Sequence, residues 1–90
     1  GRLHVVAPGD MAAQIEQVFR NLGDIFTAAG TDFSRVIKYT IYVTDITAWQ
    51  AARNVAFPYY VDRPAATLVE VSRLADADVV VEVEAVAAMD

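Results

Sequence analysis

The sequence contains no cysteine, which excludes disulfide bonds, thiolate chemistry and cysteine-ligated zinc or iron–sulfur centres. Basic residues are also few: seven lysines and arginines stand against twelve acidic residues, for a formal net charge of −5. Nucleic-acid binding relies on clusters of basic side chains that neutralise phosphates. Because the basic residues of this chain are scattered, we expect no nucleic-acid partner.

Long apolar runs are absent as well. The most apolar stretch, residues 79–89, is interrupted by Glu82 and Glu84, whereas a membrane span requires about 18–20 apolar residues. No basic-then-apolar export signal stands at the amino terminus. These absences predict a cytoplasmic protein with no membrane partner.

Glycine is scarce, and the four glycines at positions 1, 9, 23 and 30 match neither a dinucleotide-binding fingerprint nor a phosphate-binding loop. Ser34 and Ser72 have only His4 as a conceivable base, which disfavours a hydrolase triad. A lone histidine with no second ligand at coordination spacing is typical of a structural residue. A hard-metal site made from Glu70, Glu82 and Glu84 is possible, but nothing in their spacing demands a cation. We therefore predict no metal site.

What is present is the composition of one packed domain. The chain has 90 residues, of which 56% are hydrophobic and 21% are charged, and this balance excludes a disordered chain. So short a chain buries only about 60–65% of its unfolded surface. Since the apolar fraction exceeds what one small core can hide, we predict a single domain over residues 1–90 that assembles into oligomers.

The clearest element is an amphipathic helix over about residues 10–29. Asp10 is placed to cap its first turn, and Gly30 follows the last apolar position, where a left-handed residue is favoured. Apolar residues recur at helical spacing: Met11, Ile15, Val18, Leu22, Ile25, Phe26 and Ala29. The opposite, polar face is predicted to carry Gln14, Gln17, Asn21 and Asp24.

Three strands and a second helix complete the pattern. Alternation of apolar and polar residues predicts strands over residues 35–44, 67–74 and from 79 onward. Between the first two strands we predict a helix that is capped by Asp45 or Thr47 and ends before Pro58. The last two strands are close in sequence, so we expect them to pair as an antiparallel hairpin. The order α-β-α-β-β predicts an α+β fold with two helices packed on one face of the sheet.

The two faces of the sheet follow from strand parity. In the first strand, the side chains predicted to face the helices are Ile37, Tyr39, Ile41 and Val43. The opposite, polar face is predicted to carry Lys38, Thr40, Tyr42, Glu70, Ser72, Glu82 and Glu84. Such a face is either solvated or used in binding.

The pair Glu82 and Glu84 is the most suggestive chemical feature. Because side chains alternate between the two faces of a strand, both carboxylates lie on one face of the last strand, about 7 Å apart. The plain interpretation is a solvated polar face, or carboxylates paired with Lys38 across the sheet. The alternative is that one carboxylate, partly desolvated at a subunit junction, holds or activates a water molecule.

Several segments resemble a known family. Residues 63–74 read RPAATLVEVSRL and are followed by VEVEAVA at 81–87. Residues 9–14 (GDMAAQ, with Asn21-Leu22 further on) precede VIKYT and YVTD of the first strand. In this order, and over nearly the whole chain, these segments are similar to the Rid family of YjgF-like (RidA-like) proteins.

The resemblance implies a chorismate-mutase-like α+β fold assembled as a homotrimer, with small-molecule clefts between subunits. Better-known members hydrolyse reactive enamine or imine intermediates to a 2-keto acid and ammonia, without a metal or organic cofactor. By the same resemblance Glu82 is the catalytic residue that positions the attacking water. Asn54, Ala66 and Leu68 occupy the substrate-binding positions.

The chain departs from the family pattern where members carry an arginine that grips the substrate carboxylate, because Ala66 stands there. Parity in the predicted strand places Ala66 with Leu68 and Glu70 on the polar face. Each charge-assisted hydrogen bond of an arginine fork contributes roughly 1.5–3 kcal/mol. We therefore expect little or no 2-iminopropionate deaminase activity. Arg63, of opposite parity, could substitute only if the loop bends.

Two further departures concern the ends of the cleft. The family's amino-terminal hairpin is expected to be absent from these residues, with Leu3 to Ala7 as a remnant. The segment from Asn54 to Ala66 is a few residues short, and aromatic residues at 59 and 60 suit either a larger, less charged ligand or ordinary interface packing.

These observations leave two functions open. One is an imine or enamine hydrolase with an altered pocket, and the other is a noncatalytic trimer that binds a small ligand or another protein. A ribonuclease function, with which this family is sometimes labelled, is disfavoured by the acidic charge.

Overall fold

A computed structural model describes residues 7–89. The elements are α1 (Met11–Ala29), β1 (Val36–Val43), α2 (Ile46–Ala52), β2 (Ala65–Glu70) and β3 (Val81–Ala87). His4 and most of the predicted remnant at Leu3 to Ala7 lie outside the described residues. No helix within residues 7–89 is both long and apolar enough to cross a membrane.

Helix α1 has the ends that its sequence predicts. The Asp10 carboxylate accepts a hydrogen bond from the Ala13 amide at 3.0 Å, which satisfies one of the free donors of the first turn. Gly30 adopts a left-handed φ of 84°, and its amide bonds back to the carbonyls of Phe26 and Thr27. The predicted bounds of this helix are therefore confirmed.

The buried stripe of α1 differs from the predicted one. Phe19, absent from the predicted apolar set, is fully buried, whereas Ile25 is 61% exposed. Gln14 was assigned to the polar face, and this is wrong, because it is buried to 7% exposure. The stripe is turned so that Gln14 and Phe19 face the sheet and Ile25 lies on its solvent side.

The sheet has the strand order β2-β1-β3. Strand β1 pairs in parallel with β2 and antiparallel with β3. The predicted hairpin between the last two strands is therefore wrong: β1 lies between them. Their short separation in sequence suggested direct pairing, but a parallel β1–β2 pair, connected through α2, occupies the side of β1 opposite β3.

The two helices pack on one face of this sheet, as predicted. The described core combines residues of α1, β1, α2 and β3: Met11, Ile15, Phe19, Phe26, Val36, Tyr39, Ile41, Val43, Trp49, Ala56 and Val81. Asp45 caps α2 by accepting from the Ala48 amide at 3.1 Å. Helix α2 ends at Ala52, earlier than predicted, and two short 3-10 turns at 53–55 and 57–59 carry the chain toward β2.

Strand β1 contains an irregularity that changes its first residues. The pairing with β3 shifts register between Val36 and Lys38. Val36 is therefore buried while Ile37 is exposed, and the prediction that Ile37 faces the helices is wrong. From Tyr39 onward the predicted alternation holds, with Tyr39, Ile41 and Val43 buried.

Candidate functional site

The face of the sheet without helices, which we call the open face, is organised in rows across the three strands. Residues paired across strands share a face, so the register sets each row. One row is Val69, Tyr42 and Glu82. The next is Thr67, Thr40 and Glu84, and the third is Ala65, Lys38 and Val86.

Both glutamates of β3 are exposed on this face and point away from the helices. Lys38 lies one row beyond Glu84, yet the described part of the chain contains no ion pair between Lys38 and either carboxylate. The parity prediction for Glu82 and Glu84 is therefore correct, and the alternative in which Lys38 neutralises them is not realised.

Ala66 and Leu68 lie on the other face. The register pairs Ala66 with Tyr39 and Leu68 with Ile41, and both partners point toward the helices. The prediction that Ala66, Leu68 and Glu70 share the polar face is wrong. The alternation of side chains along β2 is as predicted. Which set of β2 side chains faces the helices depends on the parallel register with β1, which the sequence does not display.

Glu70 has a structural role at the end of β2. Its Oε1 accepts a hydrogen bond from the Ile46 amide at 3.0 Å, at the first residue of α2. A carboxylate at a helix amino terminus satisfies a free amide and complements the helix dipole. Glu70 therefore ties β2 to α2 and does not belong to the carboxylates of the open face.

Ala66 and Glu82 cannot form one pocket within a single chain. Their strands flank β1 on opposite sides, and their positions are three rows apart, opposite Tyr39 and Tyr42 respectively. Strand spacing and rise separate them by about 10 Å across the sheet and about 10 Å along it. They also lie on opposite faces of the sheet.

The surroundings of Ala66 are aromatic. The ring of its partner Tyr39 stacks on that of Tyr60, with centroids 5.3 Å apart, and the Tyr39 hydroxyl donates to the carbonyl of Tyr59. Burial raises the pKa of Tyr39 to about 12 and also raises the pKa of Tyr60. Both phenols are therefore protonated at neutral pH; the Tyr39 ring lies inside the core at 1% exposure, and only Tyr60 is half-buried.

The other predicted position, Asn54, is exposed in the 3-10 turn that follows α2. Between this turn and β2, Asp62 and Arg63 both adopt left-handed backbone conformations, with φ of 59° and 53°. Non-glycine residues rarely adopt this conformation, which costs about 1–2 kcal/mol per residue. The loop before β2 therefore turns at Asp62 and Arg63, and Arg63 is exposed there.

Gln14 was not identified as important by its sequence pattern, yet it joins three parts of the chain. Its Nε2 donates to the carbonyls of Ala7 and Asp78, at 3.1 and 2.7 Å. Its Oε1 accepts from the Val80 amide at 2.9 Å. These bonds fix the start of β3, two residues before Glu82. Only its presence among apolar neighbours of α1 could have signalled burial.

A polar contact on the solvent side of the helices connects α1 to the segment before β2. The Tyr59 hydroxyl donates to Glu16 Oε1 at 2.8 Å, and Arg20 Nε contacts the same oxygen at 2.9 Å. These two hydrogen bonds, first from Tyr59 and then from Arg20, lower the pKa of Glu16. The bond to Glu16 raises the pKa of Tyr59.

No group of three or more histidine or acidic side chains is placed to hold a metal ion within the described residues. Opposite Glu82 and Glu84, strand β1 supplies one hydroxyl each, from Tyr42 and Thr40.

Comparison with known proteins places this geometry in context. The family described as Endoribonuclease L-PSP matches residues 2–89. The RutC family protein PH0854 of Pyrococcus horikoshii is 39% identical over 83 residues, covering 91% of this chain and 65% of that protein. The human 2-iminobutanoate/2-iminopropanoate deaminase is 32% identical over 80 residues, covering 88% of this chain and 58% of that protein.

Solved structures of the same family have a similar fold. The crystal structure of the YjgF gene product of Escherichia coli superimposes with a TM-score of 0.81 at 33% identity, covering 89% of this chain and 65% of that one. The chain thus spans slightly less than two thirds of the length of the first curated relatives that it matches.

Proposed function

The chain belongs to the Endoribonuclease L-PSP family, the YjgF-like or Rid family, and on this premise we propose that it hydrolyses imines or enamines at an altered intersubunit pocket. In this proposal residues 1–90 act as one domain of a cytoplasmic homotrimer, with Glu82 as the catalytic residue. Relatives named as 2-iminobutanoate/2-iminopropanoate deaminases support the reaction class.

One observation carries the proposal: Glu82 stands exposed on the open face with no ion-pair partner among residues 7–89. A carboxylate without a compensating cation is free to accept a proton from water or to hold water by a hydrogen bond. Burial of the open face against a second protomer would exclude bulk water around it.

The trimer is supported by the exposure of β2. Five of its six residues are exposed and only Leu68 is half-buried, although the strand lies at an edge of the sheet. A strand that is covered only at Leu68 and lies at an edge of the described sheet favours association with another chain. Since Ala66 and Glu82 lie far apart on opposite faces of one chain, a cleft that contains both requires a second protomer.

In the proposed reaction the oxygen of a water molecule bonds to the imine carbon, while Glu82 accepts one of the water protons. The electron pair of the C=N bond moves to nitrogen, which takes up that proton. The C–N bond of the resulting carbinolamine then breaks, and ammonia leaves with the hydroxyl proton. The products are a carbonyl compound and ammonia, and no cofactor enters the balance.

The pocket is altered because Ala66 cannot grip a carboxylate. Loss of two charge-assisted hydrogen bonds, each contributing roughly 1.5–3 kcal/mol, weakens binding of a small 2-imino acid by several orders of magnitude. The half-buried ring of Tyr60, which stacks on the strand partner of Ala66, favours a substrate with an apolar group and no carboxylate. We propose that Asn54 and Leu68 contribute to the same pocket from the rim and the floor.

A coupled assay tests the reaction. Two oxidases supply imines: an amino-acid oxidase acting on alanine gives 2-iminopropionate, and an amine oxidase acting on benzylamine gives an imine without a carboxylate. Ammonia release is followed with and without the protein. We expect acceleration with the second imine and little or none with the first. Glu82→Gln should lower the acceleration by about 10²–10⁴-fold, whereas the matched Glu84→Gln should retain most of it.

The altered pocket is tested separately with Ala66→Arg, which should gain hydrolysis of 2-iminopropionate. Ordinary hydrolysis of 2-iminopropionate by the unmodified protein would overturn the role given to Ala66. Light scattering tests the assembly, because a monomer near 9.8 kDa would remove the intersubunit pocket.

The second candidate function is a noncatalytic trimer that binds a small ligand or another protein. The alanine at position 66 favours it, because loss of a binding group commonly accompanies loss of turnover. Saturable binding of benzaldehyde or pyruvate to a trimer that accelerates neither imine would establish this alternative.

A further inference from the structure

Tyr42 stands beside the proposed catalytic carboxylate. The antiparallel register of β1 and β3 pairs Tyr42 directly with Glu82 on the open face. We propose that the Tyr42 hydroxyl is a second group that holds the attacking water, so that this water is shared between a phenol and a carboxylate. This inference rests on the proposed function and adds a residue to that site.

The backbone geometry brings the two side chains within reach of one water molecule. Directly opposed residues of an antiparallel pair have Cβ atoms about 4.5–5.5 Å apart. A tyrosine and a glutamate that leave the sheet in parallel from such positions can place their oxygens on either side of a single water. A carboxylate accepts hydrogen bonds and a phenol both donates and accepts, so together they fix its orientation.

The state of the Tyr42 hydroxyl supports this role. Tyr42 is half-buried, yet its hydroxyl bonds to no protein group within residues 7–89. The hydroxyls of Tyr39 and Tyr59, in contrast, both donate to protein acceptors. A hydroxyl that has no protein partner and is open to solvent takes water as its partner. Val69, on the other side of Tyr42 in the same row, offers no competing polar group.

The neighbouring row provides an internal comparison. Thr40 pairs with Glu84 as Tyr42 pairs with Glu82, so each carboxylate has a hydroxyl opposite it. The threonine hydroxyl is attached directly to Cβ, close to the sheet, whereas the tyrosine hydroxyl is carried away from the sheet by the length of the ring. Of the two rows, only the Tyr42 row therefore supplies a hydroxyl that reaches well away from the sheet.

In the reaction, Tyr42 would hold the water while Glu82 accepts its proton. As the water oxygen bonds to the imine carbon, the phenol stays protonated and its hydrogen bond orients the oxygen. No electron or proton is left over, because the proton taken by Glu82 passes to the imine nitrogen. Tyr42 thus contributes positioning, for which a loss of about 10–100-fold in rate is typical when one oriented contact is removed.

The test is Tyr42→Phe, with Thr40→Val as the matched removal of the other hydroxyl, assayed with the benzylamine-derived imine. We expect Tyr42→Phe to lower kcat by 10–100-fold with KM changed less than twofold, and Thr40→Val to leave both unchanged. The Tyr42 ring remains and its hydroxyl has no protein partner in the described chain. Thermal unfolding and trimer mass should therefore match the unmodified protein.

A double-mutant cycle separates shared water from a structural effect. Glu82→Gln is expected to lower kcat by about 10²–10⁴-fold and to leave a residual rate that can be measured. If Tyr42 and Glu82 act on one water, adding Tyr42→Phe to Glu82→Gln should lower kcat by less than a further twofold. A loss of kcat in the double variant equal to the product of the two single losses would overturn the shared water. Unchanged kcat in Tyr42→Phe would overturn it as well. Loss of activity in Glu82→Gln with full activity in Tyr42→Phe refutes this inference alone. Unchanged activity in Glu82→Gln, or no acceleration of any imine by the unmodified protein, refutes the proposed function and this inference together.

Discussion

Strands β2 and β3 both flank β1, but the chain holds them differently. Strand β3 alternates between a side under the helices and the open face, and Val81 at its start is buried. Strand β2 has no buried residue, and only Leu68 is half-buried. The helices therefore cover β1 and β3 and leave β2 beyond their edge. The position of β3 is set by packing within the chain, whereas β2 is placed to meet another surface.

This difference assigns separate tasks to the two sides of the sheet. The covered side, formed by β1, β3 and the helices, supplies the free energy of folding, because apolar burial is the dominant favourable contribution. The β2 side contributes little to folding of one chain and offers its area for association. The predictions below are arranged by the size of the change expected in the free energy of unfolding.

The largest effect is expected for Phe19→Ala on the covered side. The Phe19 ring is fully buried, stacks on Tyr59 at 5.0 Å and meets Tyr39 edge-on at 5.4 Å. Removing a buried phenyl ring costs roughly 3–5 kcal/mol. Urea unfolding should show this loss, and Ile25→Ala on the exposed side of α1 should stay within about 0.5 kcal/mol. Similar losses for the two variants would contradict the assigned helix orientation.

Gln14→Leu should have the next largest effect. The change leaves the Val80 amide and the Ala7 carbonyl without their side-chain partner, and an unsatisfied buried group costs roughly 1–3 kcal/mol. Gln17→Leu is the matched control, since Gln17 bonds only to Asn21 on the surface. Hydrogen exchange at the Val80 amide should accelerate in Gln14→Leu. Unchanged exchange would show that another contact holds the start of β3.

A single type of substitution compares the two edge strands directly. Val81→Thr on β3 places a hydroxyl at a position 4% exposed, and burial of an unpaired hydroxyl costs roughly 1–3 kcal/mol. Val69→Thr on β2 is 37% exposed and should change unfolding of the unassembled chain by less than about 0.5 kcal/mol. Analytical ultracentrifugation should show weaker association for Val69→Thr. Equal losses of folding stability would remove the distinction between β2 and β3.

The smallest effect concerns acid pH and the contact that ties the segment before β2 to α1. Because the folded-state pKa of Glu16 is lowered by Tyr59 and Arg20, its contribution is present above the ordinary glutamate pKa. The contribution disappears as the pH falls through the lower folded value. Tyr59→Phe should bring the Glu16 pKa closer to its ordinary value in a carbon-13 titration. It should also flatten the acid dependence of stability. An identical Glu16 titration in Tyr59→Phe and in the unmodified protein would contradict the hydrogen bond between Tyr59 and Glu16.

The sequence predicted what is decided locally. The ends of α1 follow from Asp10 and Gly30, whose capping requires only neighbouring residues. The outward direction of Glu82 and Glu84 follows from alternation within one strand. The faces of Ala66 and Leu68 depend on the register between β1 and β2, which joins distant parts of the chain and leaves no local signal.

The wrong predictions for Ile37 and Gln14 likewise concern contacts between distant parts of the chain. A register shift near Val36 reverses the direction of Ile37, and no residue type marks it in advance. Gln14 looks like a surface residue by polarity, but it is needed inside to satisfy the Val80 amide and the Asp78 carbonyl. Hydrogen-bond satisfaction across long sequence separations is a property of the folded chain.

The central position of β1 has a consequence for synthesis of the chain. Both partners of β1 among the described strands are encoded later: Lys38 pairs with Ala65 and Tyr42 with Glu82. During translation β1 therefore emerges before β2 and β3, and its edge for β3 stays unpaired until that strand leaves the ribosome. Strand edges exposed in this way recruit other nascent chains. We therefore expect slow synthesis through residues 45–80, or truncation before Val81, to cause aggregation rather than accumulation of a stable intermediate.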